Sequence, residues 1–361
     1  MPIERIPDWE QRLARQDAFW DCAIIDRPVV NMAVFKVEMG APWPADRQYA
    51  SQRVRWLDTE RVVEEAVATV LNMDYLGDAL PHAWPNLGPE VFSAFFGMEM
   101  EYTADTSWGV PCIEDWADVS HVRFSEDNLY WRKLIEMTDA LLDAGKGLFY
   151  TGISDLHPGG DALAAFRDPL DLNTDLLITP DALRRMLEYV SETFAFVFDF
   201  CHEKLAAAGQ AACSWPGIVS SRKWHVPSND FSCMISNEMF ADFFLPGIVE
   251  ECRSAEASIY HLDGPDALRH LDSLLDIPEL SAIQWVFGAG NGQASDWIEV
   301  YQSCQAAGKG IQIMAAFDEL DVLMEHLRPE GVWLDVGVGS HKYAEEVLRR
   351  VSSWTAPGKF R

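Results

Sequence analysis

Apolar positions first fall at helical spacing: Trp9, Leu13, Phe19 and Trp20 lie near one face of a helix predicted over 8–22. A charged boundary follows, then the apolar run Pro28-Val-Val-Asn-Met-Ala-Val-Phe35, which reads as a buried strand. A helix is predicted over 59–73, with Thr59 as N-cap and Glu65 in an early turn. Residues 74–125 are rich in Pro, Gly and aromatic residues without a sustained period, so strands joined by irregular loops are expected. From residue 126 helix and strand alternate. A helix over 126–144 leads to a strand at 147–153, and the loop 154–161 opens a short helix near Ala162. Thr179-Pro-Asp opens a long helix to about Ala208, with Pro180 suited to its first turn. Strands follow at 211–215, 258–261, 282–286, 310–314 and 332–336, with helices at 236–252, 265–275, 294–307, 317–327 and 341–353. Alternation of this kind, with no hairpin signal, is the mark of a parallel α/β sheet. About eight strands, with no linker or repeat, predict a single (β/α)8 TIM barrel over 1–361 with an N-terminal helical extension. A doubly wound sheet is the alternative.

Composition narrows the function. The chain is 48% hydrophobic and 24% charged, as folded chains are. Its 28 Lys and Arg face 57 Asp and Glu, for a net charge of −29. That field repels phosphate backbones and anionic bilayers, so neither nucleic acid nor membrane is expected as a partner. No run of 18 apolar residues occurs and the first residues are polar, so a cytoplasmic location is expected. Seven scattered cysteines, none in a CxxC pair, predict reduced thiols rather than a disulfide framework or zinc knuckle. Cys213 and Cys233 read as buried structural thiols more readily than as ligands.

In a parallel barrel, chemistry gathers at the C-terminal ends of the strands. Asn31 and Lys36 fall on or after the first strand and are candidate substrate contacts. Asp155 and His157 follow the strand that ends at Ile153, within Ser154-Asp-Leu-His-Pro-Gly-Gly-Asp161, where the function-free reading makes Asp161 a cap of the next helix. Ser214 and Trp215 end the next strand, and Asp335 ends the last. His261 and Asp263 lie two apart, so on a strand end they point to the same side and suit either a divalent metal or a base with its orienting partner. The plainer reading is a hydrogen-bonded loop His before a helix-initiating turn. The loop 216–229, with Trp224 and His225, is long enough for a lid. Gly288-Ala-Gly-Asn-Gly292 is neither a GxGxxG fingerprint nor a P-loop, and GxSxG and HExxH are absent.

Taken in order, several segments resemble the uroporphyrinogen decarboxylase superfamily, which includes cobalamin-dependent methyltransferases. They are SDLHPGGDALAAFRD, Asp230-Phe-Ser, Ile235-Ser-Asn-Glu-Met-Phe-Ala-Asp-Phe-Phe-Leu-Pro246, His261-Leu-Asp-Gly264 and the closing Gly331-Val-Trp-Leu-Asp with Ser340-His-Lys-Tyr-Ala-Glu-Glu. The resemblance spans about 146–345 and implies a barrel with a funnel-shaped site. In the methyltransferases a His-x-Cys-Gly motif and a later Cys hold zinc. Here His261 matches the His, Asp263 stands at the first Cys, and no Cys lies near Gly337-Val-Gly339. The decarboxylase grips its tetrapyrrole with arginines after the first strand. Here that region reads Asn31-Met-Ala-Val-Phe-Lys-Val-Glu38.

The resemblance therefore implies a metal-dependent methyltransferase that moves a methyl group between a small methylated substrate and a corrinoid on a separate protein. His261 and Asp263 would hold zinc, Asp155 and His157 would position substrate or shuttle a proton, and Trp84, Trp108, Trp215 and Trp224 would line the funnel and its lid. Expected partners are the small molecule, the corrinoid protein and, in a homodimer, a second copy of the chain. The alternatives are a metal-free decarboxylase or lyase of a small non-porphyrin acid, with Asp230 or His261 as general acid, and a carbohydrate-handling barrel.

Overall fold

The computed structural model describes residues 3–356 and 359–360. The strands that bear on the site are, in chain order, β1 (Val29–Phe35), β2 (Met73–Gly77), β3 (His82–Ala83), β4 (Tyr150–Thr151), β5 (Ala212–Cys213), β6 (Trp224–His225), β7 (Ala257–Asp263), β8 (Ala282–Val286), β9 (Gly310–Ala315) and β10 (Val332–Val336). One sheet runs β2-β1-β10-β9-β8-β7-β6, parallel throughout except where β2 joins β1 antiparallel. β3 pairs in parallel with β4, and a single parallel bridge, Ile153 to Ser214, carries the pairing on towards β5. The fold is thus α/β with a parallel sheet. Among the described residues its ladders form this sheet and separate short pairings, not one continuous ring.

Where elements depart from expectation, local chemistry explains it. The first helix is Trp9–Phe19 and ends short of 22, because Cys22 turns to a φ of 48°. Asp58, not Thr59, caps the helix Thr59–Asn72: its carboxylate accepts the Arg61 N–H at 3.2 Å. The helix expected over 236–252 is broken into Asn237–Met239, a wide π turn at Phe240–Phe244, and Leu245–Arg253. Pro246 has no N–H to bond backwards and crowds the turn before it. An unexpected antiparallel hairpin pairs Met100–Tyr102 with Ser107–Gly109. Its turn is closed by Thr103, whose hydroxyl oxygen accepts the Thr106 N–H at 3.1 Å.

The loop 216–229 is not a lid. It contains β6, and Trp224 is fully buried with Phe19, Trp20, Val29, Ala257 and Trp333 in a cluster that includes the first residues of several strands. His225 faces Glu251 at 2.9 Å in the core. Burial pushes the His225 pKa down and that of Glu251 up, so both charged forms are disfavoured there. Among the described residues no helix is long and apolar enough to cross a membrane, and all seven cysteines are free.

The N-terminal helix is fastened to the sheet through Asp78, which has no exposed surface. Its carboxylate accepts Arg15 Nη1 at 3.1 Å, Arg27 Nη2 at 2.9 Å and the Val30 N–H at 2.9 Å, and Arg27 Nη1 closes the fork. Removing one partner of a buried ion pair leaves the other charge uncompensated. Asp78→Ala is therefore expected to cost about 3–5 kcal/mol in chemical denaturation. A loss below about 1 kcal/mol, the scale of a surface pair, would refute this role.

Candidate active site

After Ile153 the chain enters the motif predicted to carry chemistry. Ser154 Oγ donates to Pro85 O at 3.0 Å, and Asp155 Oδ1 takes His157 Nε2 at 2.6 Å. Gly159 turns with a φ of 65° into the helix Gly159–Arg167. Gly160 packs against the buried Asn229 side chain: a Cβ there would lie 2.5 Å from Asn229 Oδ1, so a larger residue would have to turn that amide aside. That close approach brings the segment 228–231 onto Asp161. Asp161 does not cap its own helix, whose N-cap Pro158 offers no side-chain bond. It caps the turn Asp230–Met234 instead, accepting the Asp230 N–H at 3.1 Å and the Phe231 N–H at 2.9 Å. Ser228 Oγ bridges the two halves, at 3.0 Å from His157 Nδ1 and 3.2 Å from Asp161 Oδ2.

His157 thus has a carboxylate on either side. Burial works to lower its pKa, but Asp155 and Asp161 outweigh burial and hold it well above the usual imidazole range. The two flanking carboxylates thus favour the charged form of the His157 ring. Burial would raise Asp161, but the bonds and charge from His157 and the two backbone N–H groups keep it low. Asp230 is the opposite case. It is exposed at one edge and enclosed by protein on the others, and burial, then the charge of Asp161, push its carboxyl up to about 6.

The second half of the site stands on β7. Ser228 bridges in parallel to His261, and Pro227 O accepts the His261 N–H at 2.9 Å, so segment 228–230 lies beside the strand end. Ligand-capable atoms of Asp230, His261 and Asp263 lie within 4.8 Å of one another, as do those of His157, Asp161 and Asp230. Asp230 belongs to both groups and joins the two motifs. A cavity of about 310 Å³, lined by Glu90, His157, Asp161, Asp230, Cys233 and Met234 among others, opens beside them. Glu90 also accepts the Gly109 N–H, which ties the 100–109 hairpin to this cavity.

The structure therefore unites Asp155, His157, Asp230, His261 and Asp263. Trp215 joins them, its ring edge-on to His261 with centroids 5.4 Å apart. Trp108 is 43% exposed on the hairpin. Asn31 takes a structural bond, its amide donating to Asp335 Oδ1 at 2.6 Å. Lys36 donates to Leu71 O at 2.6 Å and lines a different cavity with Asp74 and His341. Trp224 is sealed in the core described above. Trp224 is therefore corrected from a substrate contact to a core residue, and Lys36 lies apart from the group that holds Asp155 to Asp263. Sequence reading passed over Ser228, Gln284 and Gln312, and gave Asp161 only a cap's role. The two glutamines did carry a signal, as amides in the middle of apolar strands.

Among solved structures, the fold is similar to that of a methyltransferase from Methanosarcina mazei, with 13% sequence identity, a TM-score of 0.58 and coverage of 93% of this chain and 99% of that one. No protein-family model and no curated protein matches the sequence. At this identity the likeness is one of fold, and it does not single out a superfamily.

The raised carboxyl of Asp230 sets a stability prediction. Its folded pKa lies above the unfolded value, so the ionised group costs stability as pH rises towards and past about 6. Asp230→Asn is expected to raise the melting temperature at pH 7.5 and to leave it nearly unchanged at pH 4. An Asn variant that melts lower at both pH values would contradict the assignment.

Proposed function

We propose that the protein is a metal-dependent methyltransferase on a closed (β/α)8 barrel, its ring completed through the short pairings of β3, β4 and β5. The observation that carries this reading is the convergence of Asp230, His261 and Asp263 within mutual ligand distance. The methyltransferase-like fold supports it from outside the site. One imidazole and two carboxylates are a fitting donor set for a divalent ion, zinc in our reading, and a harder one than a set with thiolates. When bound, such an ion supplies Lewis acidity at the heteroatom that gives or takes a methyl group.

The chain's own residues do the rest. The His157 cation holds Asp161 ionised, Asp161 holds the backbone of Asp230, and Asp230 is thereby kept beside β7. Glu90, Asp230, Cys233 and Met234 bound a cavity of about 310 Å³, sized for a small substrate, and Glu90 is held there by the hairpin bearing Trp108. A corrinoid acceptor or donor would arrive on a separate protein.

A second reading is favoured by Asp230, whose carboxyl at about 6 is poised to donate a proton near neutral pH. It is a metal-free lyase in which Asp230 protonates the carbon left by a departing carboxyl group of a small acid. Metal binding separates the two readings. Zinc titration against a chromophoric chelator is expected to show stoichiometric binding, and His261→Ala, Asp263→Ala and Asp230→Ala should each weaken it by more than the about 10–100-fold typical of groups one shell out. Affinity should fall as pH drops through about 6, because a proton on Asp230 competes with the ion. Protein that binds no zinc at pH 7.5, yet decarboxylates small acids in an Asp230-dependent way, would establish the lyase.

A further inference from the structure

Gln284 and Gln312 stand in the runs Ala-Ile-Gln-Trp-Val and Gly-Ile-Gln-Ile-Met-Ala, and are only 5% and 3% exposed. An unpaired amide at either place would be costly, and an apolar side chain would be the default. The strand register sets both level with His261. His261 Nδ1 lies 2.5 Å from Gln284 Oε1, Gln284 Nε2 lies 2.9 Å from Gln312 Oε1, and Gln312 Nε2 lies 2.6 Å from Asp335 Oδ2. The other carboxylate oxygen accepts Asn31 Nδ2 at 2.6 Å and Trp333 Nε1 at 3.3 Å.

We propose that Asp335, on β10, sets the ring tautomer of His261, on β7, acting through Gln312 and Gln284 as positioning residues. The inference follows from donors and acceptors alone. Burial pushes the Asp335 carboxyl up, but three donors, Asn31, Gln312 and Trp333, oppose that and leave both its oxygens as acceptors. A carboxylate accepts and cannot donate, whereas each Gln amide has one end of each kind. Gln312 must therefore turn its NH2 group to Asp335, which leaves its carbonyl facing Gln284. Gln284 must answer with its own NH2 group, so its carbonyl faces His261. Nδ1 must then carry a proton, so that the neutral ring has its lone pair on Nε2, the form that binds a metal or takes a proton. Any reversed amide in the chain would set two NH2 groups or two lone pairs against each other. Asn31 and Trp333 hold the carboxylate from its far side, so it cannot swing away from Gln312.

The consequence for ligation rests on the metal-site reading above, but the tautomer can be measured without metal. The test uses full-length, chelator-treated protein labelled with ¹⁵N-histidine. Long-range ¹H–¹⁵N spectra are recorded, and the His261 signals are identified by their loss in His261→Gln. The native ring is expected in the Nδ1–H form. Gln284→Met and Asp335→Leu should each raise the Nε2–H form from a minor species to at least parity. Gln284→Glu keeps an acceptor towards the ring and should preserve Nδ1–H, which a merely structural role for residue 284 would not require. Should Asp335→Leu fail to fold, Gln312→Leu cuts the same chain one link nearer. A native Nε2–H ring would overturn the proposal, and so would an unchanged Nδ1–H ring once the Asp335 or Gln312 link is cut. Zinc titration of the same samples separates the readings: an intact tautomer pattern without zinc binding fails the metal site alone, and the converse fails the relay alone.

Discussion

A carboxylate inside a protein accepts hydrogen bonds and never gives them, and most of this molecule's geometry follows from three that obey that rule. Asp78 gathers two guanidinium groups and the first turn of chain around β1, which fastens the N-terminal helix under the sheet. Asp161 gathers two backbone N–H groups, a hydroxyl and an imidazolium, which sets the segment 228–231 against the loop from β4. Asp335 gathers amides from two strands and an indole, and so orients the polar layer between β1 and β7. In each case acceptor capacity, not mutual attraction alone, decides which donors converge, because an unanswered lone pair in the interior is expensive.

Charge is shared unevenly in the site, and that division assigns the roles. Asp155 and Asp161 flank His157 and favour its charged form. His157 and two backbone N–H groups in turn hold the Asp161 carboxyl low. Asp230 takes the opposite share: burial and the charge of Asp161 outweigh the help of His157 and His261, and its carboxyl is lifted into the range where proton exchange or cation binding relieves it.

Much of this was legible in the chain. The alternation of strand and helix after residue 126 showed the α/β class and the parallel sheet, because buried parallel strands are short, apolar and bounded by turns. His261 and Asp263 emerged from strand period alone, and Asp155 and His157 from their place after a strand. Other features were hidden for physical reasons. Capping depends on which carboxylate reaches the first free N–H, and Asp58 and Thr59 both qualify by type. Trp224 looked functional because tryptophan serves core and site alike, and only packing separates the two uses. Asp161 and Ser228 are 67 residues apart and act as one unit, a pairing that no local pattern announces. Gln284 and Gln312 were visible as anomalies, but their meaning needed the register that aligns them with His261.

The close seat of Gly160 against Asn229 has a consequence for how this site can change over generations. The carbon that glycine lacks is the clearance that seats the buried Asn229 amide, which lies between Ser228, bonded to His157, and Asp230, whose N–H Asp161 accepts. A larger residue at 160 would have to displace that amide before the two stretches could keep their approach. Change at this position is therefore coupled to change at Asn229, and the two would be expected to vary together or not at all.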